Sequence, residues 1–164
     1  MNVEIVKGNR THLSDCEDAL VKSSLGKHYF ERNGSAREAI EEGLERGTLY
    51  VAIVQNICVG FMFYLPDGAF HSFPYLHLIV VKQEYRGKGI GRQLIYYFEK
   101  KVNRDKFFLV VADFNPEAKR FYESIGYHQV GKIPALYREG ITEYIMMKEN
   151  EKILLKHGYC QSFV

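Results

Sequence analysis

The stretch His77–Gly91, HLIVVKQEYRGKGIG, constrains the fold more than any other part of this sequence. Leu78–Val81 is a short apolar run of the kind that forms a buried strand. Arg86-Gly87-Lys88-Gly89-Ile90-Gly91 then places glycines where the chain turns, and Ile90, Leu94, Phe98 and Val102 follow at helical spacing. A strand that feeds a glycine-rich turn at a helix N-terminus aims backbone N–H groups and the positive end of the helix dipole at one point. That arrangement suits a phosphate.

The rest of the chain has to supply a domain around this unit. At 164 residues, 46% of them hydrophobic and 26% charged, the sequence is long enough for one globular core. A formal net charge of +2 gives no ground for a nucleic-acid partner. No apolar run approaches the roughly 20 residues of a membrane span, and MNVEIVKGNR lacks the apolar segment of a signal peptide, so the expected location is cytoplasmic. Cys16, Cys58 and Cys160 are widely spaced and odd in number, which points to reduced thiols. Neither they nor the histidines show the spacing of a zinc site, and no metal is expected.

Along the chain, Val3–Val6 reads as a strand and Thr11–Ser24 as a helix with Leu13, Cys16 and Leu20 on one face. Leu25–Asn33 reads as a break. A second helix is expected from Ser35, opened by the capping box Ser35-x-x-Glu38 and closed by Gly47. Thr48–Val54 and Ile57–Leu65 form a hairpin across Gln55-Asn56, and Pro66-Asp67-Gly68 has the chemistry to end it. Tyr75–Val81 is the expected central strand, and Phe107–Ala112 another. Asn115-Pro116 pairs a capping amide with proline at the first helical position, ahead of the stripe Ala118, Phe121, Tyr122 and Ile125. Tyr127–Ile133 and Thr142–Lys148 complete the strands. The fold class is α/β, with a mixed, mostly antiparallel sheet of about seven strands flanked by about four helices. Residues 1–148 form the expected domain and 149–164 a C-terminal extension.

Two familiar phosphate loops fail on spacing. A Walker loop needs four residues between its first glycine and Gly-Lys, followed by Ser or Thr. A dinucleotide fingerprint needs G-x-G-x-x-G in the first strand–helix unit with an acidic residue about 20 positions on. The run here is G-x-G-x-G and lies mid-chain. A sharp strand-to-helix turn without any ligand is the plain alternative.

The downstream segment NPEAKRFYESIGY supplies the missing context. With it, the sequence resembles the GNAT family of N-acetyltransferases. The family's acetyl-CoA signature is Arg or Gln, two residues, Gly, one residue, then Gly or Ala, matched by Arg86, Gly89 and Gly91. A second family segment is matched by Asn115, Ala118, Phe121, Tyr122, Gly126 and Tyr127. The resemblance covers about residues 1–148 and implies a transferase that moves the acetyl group of acetyl-CoA directly to a primary amine, without a metal. It implies that Ile79, Val80 and Val81 pair with the pantetheine, and that Arg86, Gly87, Lys88, Gly89, Ile90 and Gly91 hold the pyrophosphate. Asn115 and Ala118 would contribute nearby. Lys82–Lys106, with eight basic and three acidic residues, has the sign to steer a polyanion, as would any solvated basic face.

Tyr122 is implied to be the general acid that protonates the departing thiolate, a role suited to a phenol with a pKa near 10. Periodicity alone would make it a core tyrosine, just as capping alone would explain Asn115. For the general base the family match leaves Tyr75, His77 and Glu143 open; the fifth-strand position that some members use is Val110, which cannot titrate. The expected acceptor is a small-molecule amine. A protein N-terminal amine is the alternative, and an acyl-CoA-binding regulator without turnover is the non-enzymatic one. Glu38, Glu41, Glu42 and Glu45 would favour a cationic acceptor or simply form an exposed helix face beside Arg37 and Arg46. The tail, with Ile153, Leu154, Leu155, Tyr159 and Phe163, is expected to form a short helix against the domain or a partner subunit of a homodimer.

Overall fold

In the computed structural model, which describes residues 1–156 and side chains through residue 153, the expected strand and glycine turn are in place. The elements are β1 (Glu4–Lys7), α1 (Leu13–Val21), α2 (Ser24–Tyr29), α3 (Ser35–Arg46), β2 (Leu49–Val54), β3 (Ile57–Ala69), β4 (Phe73–Val81), α4 (Ile90–Val102), β5 (Lys106–Ala112), α5 (Pro116–Ser124), β6 (His128–Pro134), β7 (Thr142–Glu149) and α6 (Glu151–Lys156). By hydrogen bonding the seven strands run β1-β2-β3-β4-β5-β7-β6. The β1–β2, β2–β3, β5–β7 and β6–β7 ladders are antiparallel, while β4 meets β5 in parallel. This is the mixed, mostly antiparallel α/β sheet that the sequence implies, with six α-helices among the described residues where about four were expected.

Two compact units make up the chain: Met1–Leu65 with Leu76–Phe98, and Pro66–Tyr75 with Glu99–Val164. In the first, alternate residues of the strands divide between two faces. Leu49, Val51, Phe61, Phe63, Leu78 and Val80 share a core with Leu13, Cys16 and Leu20 of α1 and Ile40 of α3. The residues between them face the other way: Tyr50 packs on Tyr97 of α4 at 5.1 Å between ring centroids, and Tyr64 on Phe98 at 5.1 Å. Ile90, Leu94, Ile95 and Phe98 are at most 1% exposed, so the helical stripe read from the sequence is the buried face of α4. Burying each such side chain stabilises the fold by about 1.5–3 kcal/mol. The turn before α4 is therefore tied to a rigid helix rather than to a loose loop.

Several local expectations are corrected. Leu25–Asn33 is not simply a break, because Ser24–Tyr29 forms α2. Ser23 caps it, accepting from the Gly26 N–H at 3.0 Å while its own hydroxyl donates to the Leu20 carbonyl at 2.6 Å. The expected capping box of α3 does not form. Gly34, at φ 83°, is the N-cap, and Glu38 is drawn off to the guanidinium of Arg32. Pro66-Asp67-Gly68 does not end β3, which continues to Ala69. The chain instead reverses at Phe70 and His71, with φ values of 56° and 53°. That tip is anchored within the second unit, where Phe70 and Phe73 each pack on Phe108 at 5.5 Å and Arg104 bonds the Ser72 carbonyl. The hairpin turn at Gln55-Asn56 is as expected, with φ values of 49° and 64° that give the twist of a tight hairpin.

In the second unit β7 lies between β5 and β6, pairing Ala112 with Glu143 and Ile133 with Glu143. Asp113 and Thr142 clasp the ends of β5 and β7 reciprocally: the Asp113 N–H donates to the Thr142 carbonyl at 2.9 Å, and the Thr142 N–H to the Asp113 carboxylate at 3.1 Å. α6 fits the expected short helix, whereas Tyr159 and Phe163 lie outside the described residues.

Candidate active site

The first unit presents an open turn built from backbone. β4 ends at Val81, a short 3-10 turn spans Gln83–Tyr85, and α4 begins at Ile90. Gly87 and Gly89 hold φ values of 71° and 79°, conformations that L side chains rarely adopt, and no protein atom lies within 4 Å of where a Cβ would stand at either. These glycines therefore answer a backbone requirement and leave open space above the turn. The Gln93 N–H bonds the Gly89 carbonyl at 3.1 Å, which makes Gly89 the residue from which the helix starts. The N–H groups of Ile90, Gly91 and Arg92 thus belong to the first turn, where an α-helix offers them no internal acceptor. Arg86 braces the turn by donating Nε–H to the Val81 carbonyl at 2.9 Å. Lys88 lies over the Tyr85 ring at 5.1 Å and donates to the Glu84 carbonyl at 2.9 Å.

Upstream, β4 alternates Pro74, Leu76, Leu78 and Val80 buried with Tyr75, His77, Ile79 and Val81 half-buried. The Lys82 N–H donates to the Val59 carbonyl at 2.8 Å, and a Cβ on Gly60 would come within 2.6 Å of the Val80 carbonyl. Close packing of β3 on one side of β4 thus needs glycine at position 60. On the other side the β4–β5 register contains the single pair Tyr75 with Phe108. His77 sits edge-on to Phe63 at 5.2 Å between centroids. Burial lowers its pKa below the ordinary 6.5, partly offset by Glu42, so the neutral imidazole prevails at neutral pH.

The second unit brings together side chains from four segments. Tyr75 at the start of β4 faces Tyr137 in the loop between β6 and β7, with 3.4 Å between their hydroxyl oxygens. Burial first, then Tyr137, Glu143 and Tyr122, raise the Tyr75 pKa, so this phenol keeps its proton. Glu143 is buried in β7, at 2% exposure. Tyr122 is buried in α5 and packs on Phe121 and Tyr127; desolvation alone holds its pKa above that of a free phenol. Asn115 positions this helix, its side chain accepting from the Ala118 N–H at 3.2 Å and Pro116 occupying the first turn. Its carboxamide oxygen is thereby engaged as a cap.

Tyr137 escaped the sequence reading. It lies 62 residues from its partner Tyr75, and no spacing rule connects the two. The usable signal is an aromatic residue in a loop that is closed on itself, by the Ala135 N–H bond to the Ile141 carbonyl at 2.9 Å. Of the α3 carboxylates, Glu38, Glu41 and Glu42 are ion-paired with Arg32, Arg37 and Arg46, as an exposed helix face would be. No group of three or more metal-ligating side chains occurs among the described residues, and no helix among them is long and apolar enough to cross a membrane.

The first unit thus holds a strand, a left-handed glycine turn and a helix start, and the second holds buried tyrosines that keep their protons. Residues 13–150 match the family model of the acetyltransferase (GNAT) domain. The chain belongs to the GNAT family. It is 33% identical over 106 residues to an uncharacterized N-acetyltransferase of Methanocaldococcus jannaschii, a match covering 61% of this chain. The chain spans 23% and 65% of the lengths of the two curated relatives it matches. Among solved structures it resembles a GNAT-family acetyltransferase from Bacillus cereus, at 20% identity and a TM-score of 0.76, over 92% of this chain and 99% of that one. An aminoglycoside 6'-N-acetyltransferase complexed with coenzyme A is similar at 23% identity and a TM-score of 0.72, over 89% and 96%.

Proposed function

We propose that this protein transfers the acetyl group of acetyl-CoA directly to a primary amine. The observation that carries the reading is the turn at residues 86–91, whose left-handed glycines leave the space and the helix-start N–H groups that a pyrophosphate needs. Arg86, Gly87, Lys88, Gly89, Ile90 and Gly91 hold that group. Ile79, Val80 and Val81 carry the pantetheine along β4. Asn115 and Ala118 serve by setting the start of α5, which bears Tyr122.

Tyr122 acts as the general acid. The amine nitrogen attacks the acetyl carbonyl, the carbon–sulfur bond breaks, and the phenol proton passes to the leaving sulfur. Its raised pKa keeps that proton in place at neutral pH until a thiolate develops. No cysteine lies in either motif, in keeping with direct transfer rather than a covalent acetyl-enzyme.

Three groups were open for the base, and the electrostatics divide them. Tyr75 holds its proton and suits donation to the acceptor or the acyl oxygen. His77 is neutral and able to accept a proton, and Glu143 is a buried carboxylate beside Tyr75. An alkylamine of pKa about 10.4 needs roughly 4–5 kcal/mol to shed its proton at pH 7, so a small-molecule amine calls on such a group. A peptide α-amine, near 7.7–8.0, needs only about 1 kcal/mol.

The preferred acceptor is a small-molecule amine, and the preferred setting is the cytoplasm. Release of coenzyme A, followed with panels of small amines and of peptides, tests the reading. Turnover with small amines is expected. Turnover with peptides alone would move the acceptor to protein N-termini, and acetyl-CoA binding without turnover on either panel would make the chain a regulator.

A further inference from the structure

Gly126 and Tyr127 close the family segment that contains Tyr122, and neither has a part in the chemistry above. Tyr122 stands in the last turn of α5, where helix carbonyls lack internal donors. Its carbonyl accepts instead from the N–H groups of Ile125 and Tyr127, each at 3.1 Å. Gly126, at φ 97°, supplies the left-handed turn that lets the chain double back. Tyr127 is thereby folded against the helix end, its ring 5.8 Å from that of Tyr122 and inclined at 66° to it. Tyr127 is 2% exposed. Burial, and after it the Glu99 carboxylate, keep its pKa well above that of a free phenol, but the hydroxyl closes no hydrogen bond of ordinary geometry. The ring is therefore held by what packs on it.

A charged pair does so. Lys148 of β7 lies over the Tyr127 ring, with 5.7 Å from Nζ to the ring centroid. Its stem passes Gly126, where an added Cβ would stand 3.3 Å from Lys148 Cε and crowd the lysine. The Lys148 ammonium donates to both oxygens of the Glu99 carboxylate of α4, at 3.0 and 2.8 Å. The two side chains are 26% and 13% exposed, and a pair so sheltered is screened less by salt than a surface pair. Held at two oxygens, the ammonium keeps its place over the ring, where a cation is attracted to the aromatic face. Residues of α4, β7 and the turn after α5 thus meet at one ring, and that ring meets Tyr122.

We propose that Glu99, Lys148 and Tyr127 form a positioning clamp for Tyr122, fixing the phenol at the end of α5 so that its proton reaches the leaving sulfur. This rests on the reading of Tyr122 as the general acid. Such an acid works only within hydrogen-bond reach of its target, and a displacement of about 1 Å can cost about 10²-fold in rate. A helix as short as α5 is not stable by itself, so the aim of a side chain in its last turn depends on tertiary packing. None of the three clamp residues contributes a reacting group. Their loss should therefore show in kcat and not in affinity for acetyl-CoA.

Coenzyme A release from acetyl-CoA tests this in the full chain, with the acceptor that the amine and peptide panels turn over fastest. Lys148→Met is expected to lower kcat by about tenfold, while the acetyl-CoA dissociation constant stays within about twofold. The substitution is then repeated in Tyr122→Phe, because residues that act through one another are not additive. There the further loss is expected to be less than about twofold. An equal fractional loss in both backgrounds would make Lys148 a structural residue only and overturn the clamp. Lys148→Arg keeps the charge over the ring and should recover most of the rate; a variant as slow as Lys148→Met would remove the ion pair from the clamp. Should Lys148→Met leave Glu99 unpaired and unfold the chain in thermal denaturation, Glu99→Gln combined with Lys148→Met removes both charges and carries the same comparison. Full turnover by Tyr122→Phe alone, or none on either panel, would take away the acid itself and the clamp's role with it.

Discussion

The turn at Arg86–Gly91 offers backbone, on glycines whose φ values are 71° and 79°, whereas Tyr75, Tyr122, Tyr137 and Glu143 offer side chains from four separate segments. A backbone site is set by a few adjacent residues and tolerates many side chains around it. A side-chain cluster depends on the whole of the second unit being folded, and each member can change independently. The proposed cofactor turn is accordingly the constant part of the machine and the proposed reacting side chains the adjustable part.

That contrast can be broken, beginning with the largest effect. Tyr122→Phe removes a hydroxyl but keeps the ring that packs on Phe121 and Tyr127. It is expected to lower kcat by about 10²-fold or more while acetyl-CoA still binds; full turnover near neutral pH would mean that another group is the acid. Gly89→Ala forces an L residue to φ 79° with nothing in the way of the new methyl, so its cost is conformational, about 1–2 kcal/mol. Acetyl-CoA affinity should fall by roughly tenfold through that strain, and an unchanged dissociation constant in calorimetry would detach the turn from the cofactor. Tyr137→Phe removes one hydroxyl contact at 3.4 Å, which corresponds to about 0.5–1.5 kcal/mol. It should raise the acceptor KM a few-fold and leave acetyl-CoA binding alone; a change in the acetyl-CoA dissociation constant instead would show that the two ends are not separable in this way.

The smallest effect concerns pH. Burial lowers the pKa of His77 below 6.5, so as pH falls the unfolded chain takes up this proton before the folded one does. The stability tied to His77 is present above about pH 6.5 and is lost as pH falls through the lowered folded value. His77→Gln should therefore flatten part of the acid side of the stability profile in denaturant titrations at pH 5 and 7. Equal slopes for both proteins would show that His77 is not desolvated as described.

Local chemistry explains what was legible in the sequence. The strand, glycine turn and α4 stripe come from contiguous residues, and so does the Asn115-Pro116 helix start, whose cap forms at 3.2 Å as its residue types demand. Where two local signals competed, the sequence did not rank them. Ser35 and Gly34 both suit an N-cap, and Arg32 decided the matter by taking Glu38. Pro66-Asp67-Gly68 has turn chemistry, but Phe108 and Arg104 anchor the reversal farther on, at Phe70–Ser72. Tyr137 was beyond reach for the same reason, since its partner is set by the folded sheet.

The central claim is that the turn at residues 86–91 holds acetyl-CoA. Thermal denaturation of the full chain with and without acetyl-CoA tests it most directly, because a ligand that binds only the folded state stabilises it by about 2.7 kcal/mol at 100 times its dissociation constant. The account predicts a midpoint that climbs with acetyl-CoA concentration and climbs later in Gly89→Ala. A midpoint indifferent to acetyl-CoA up to millimolar concentration would contradict it.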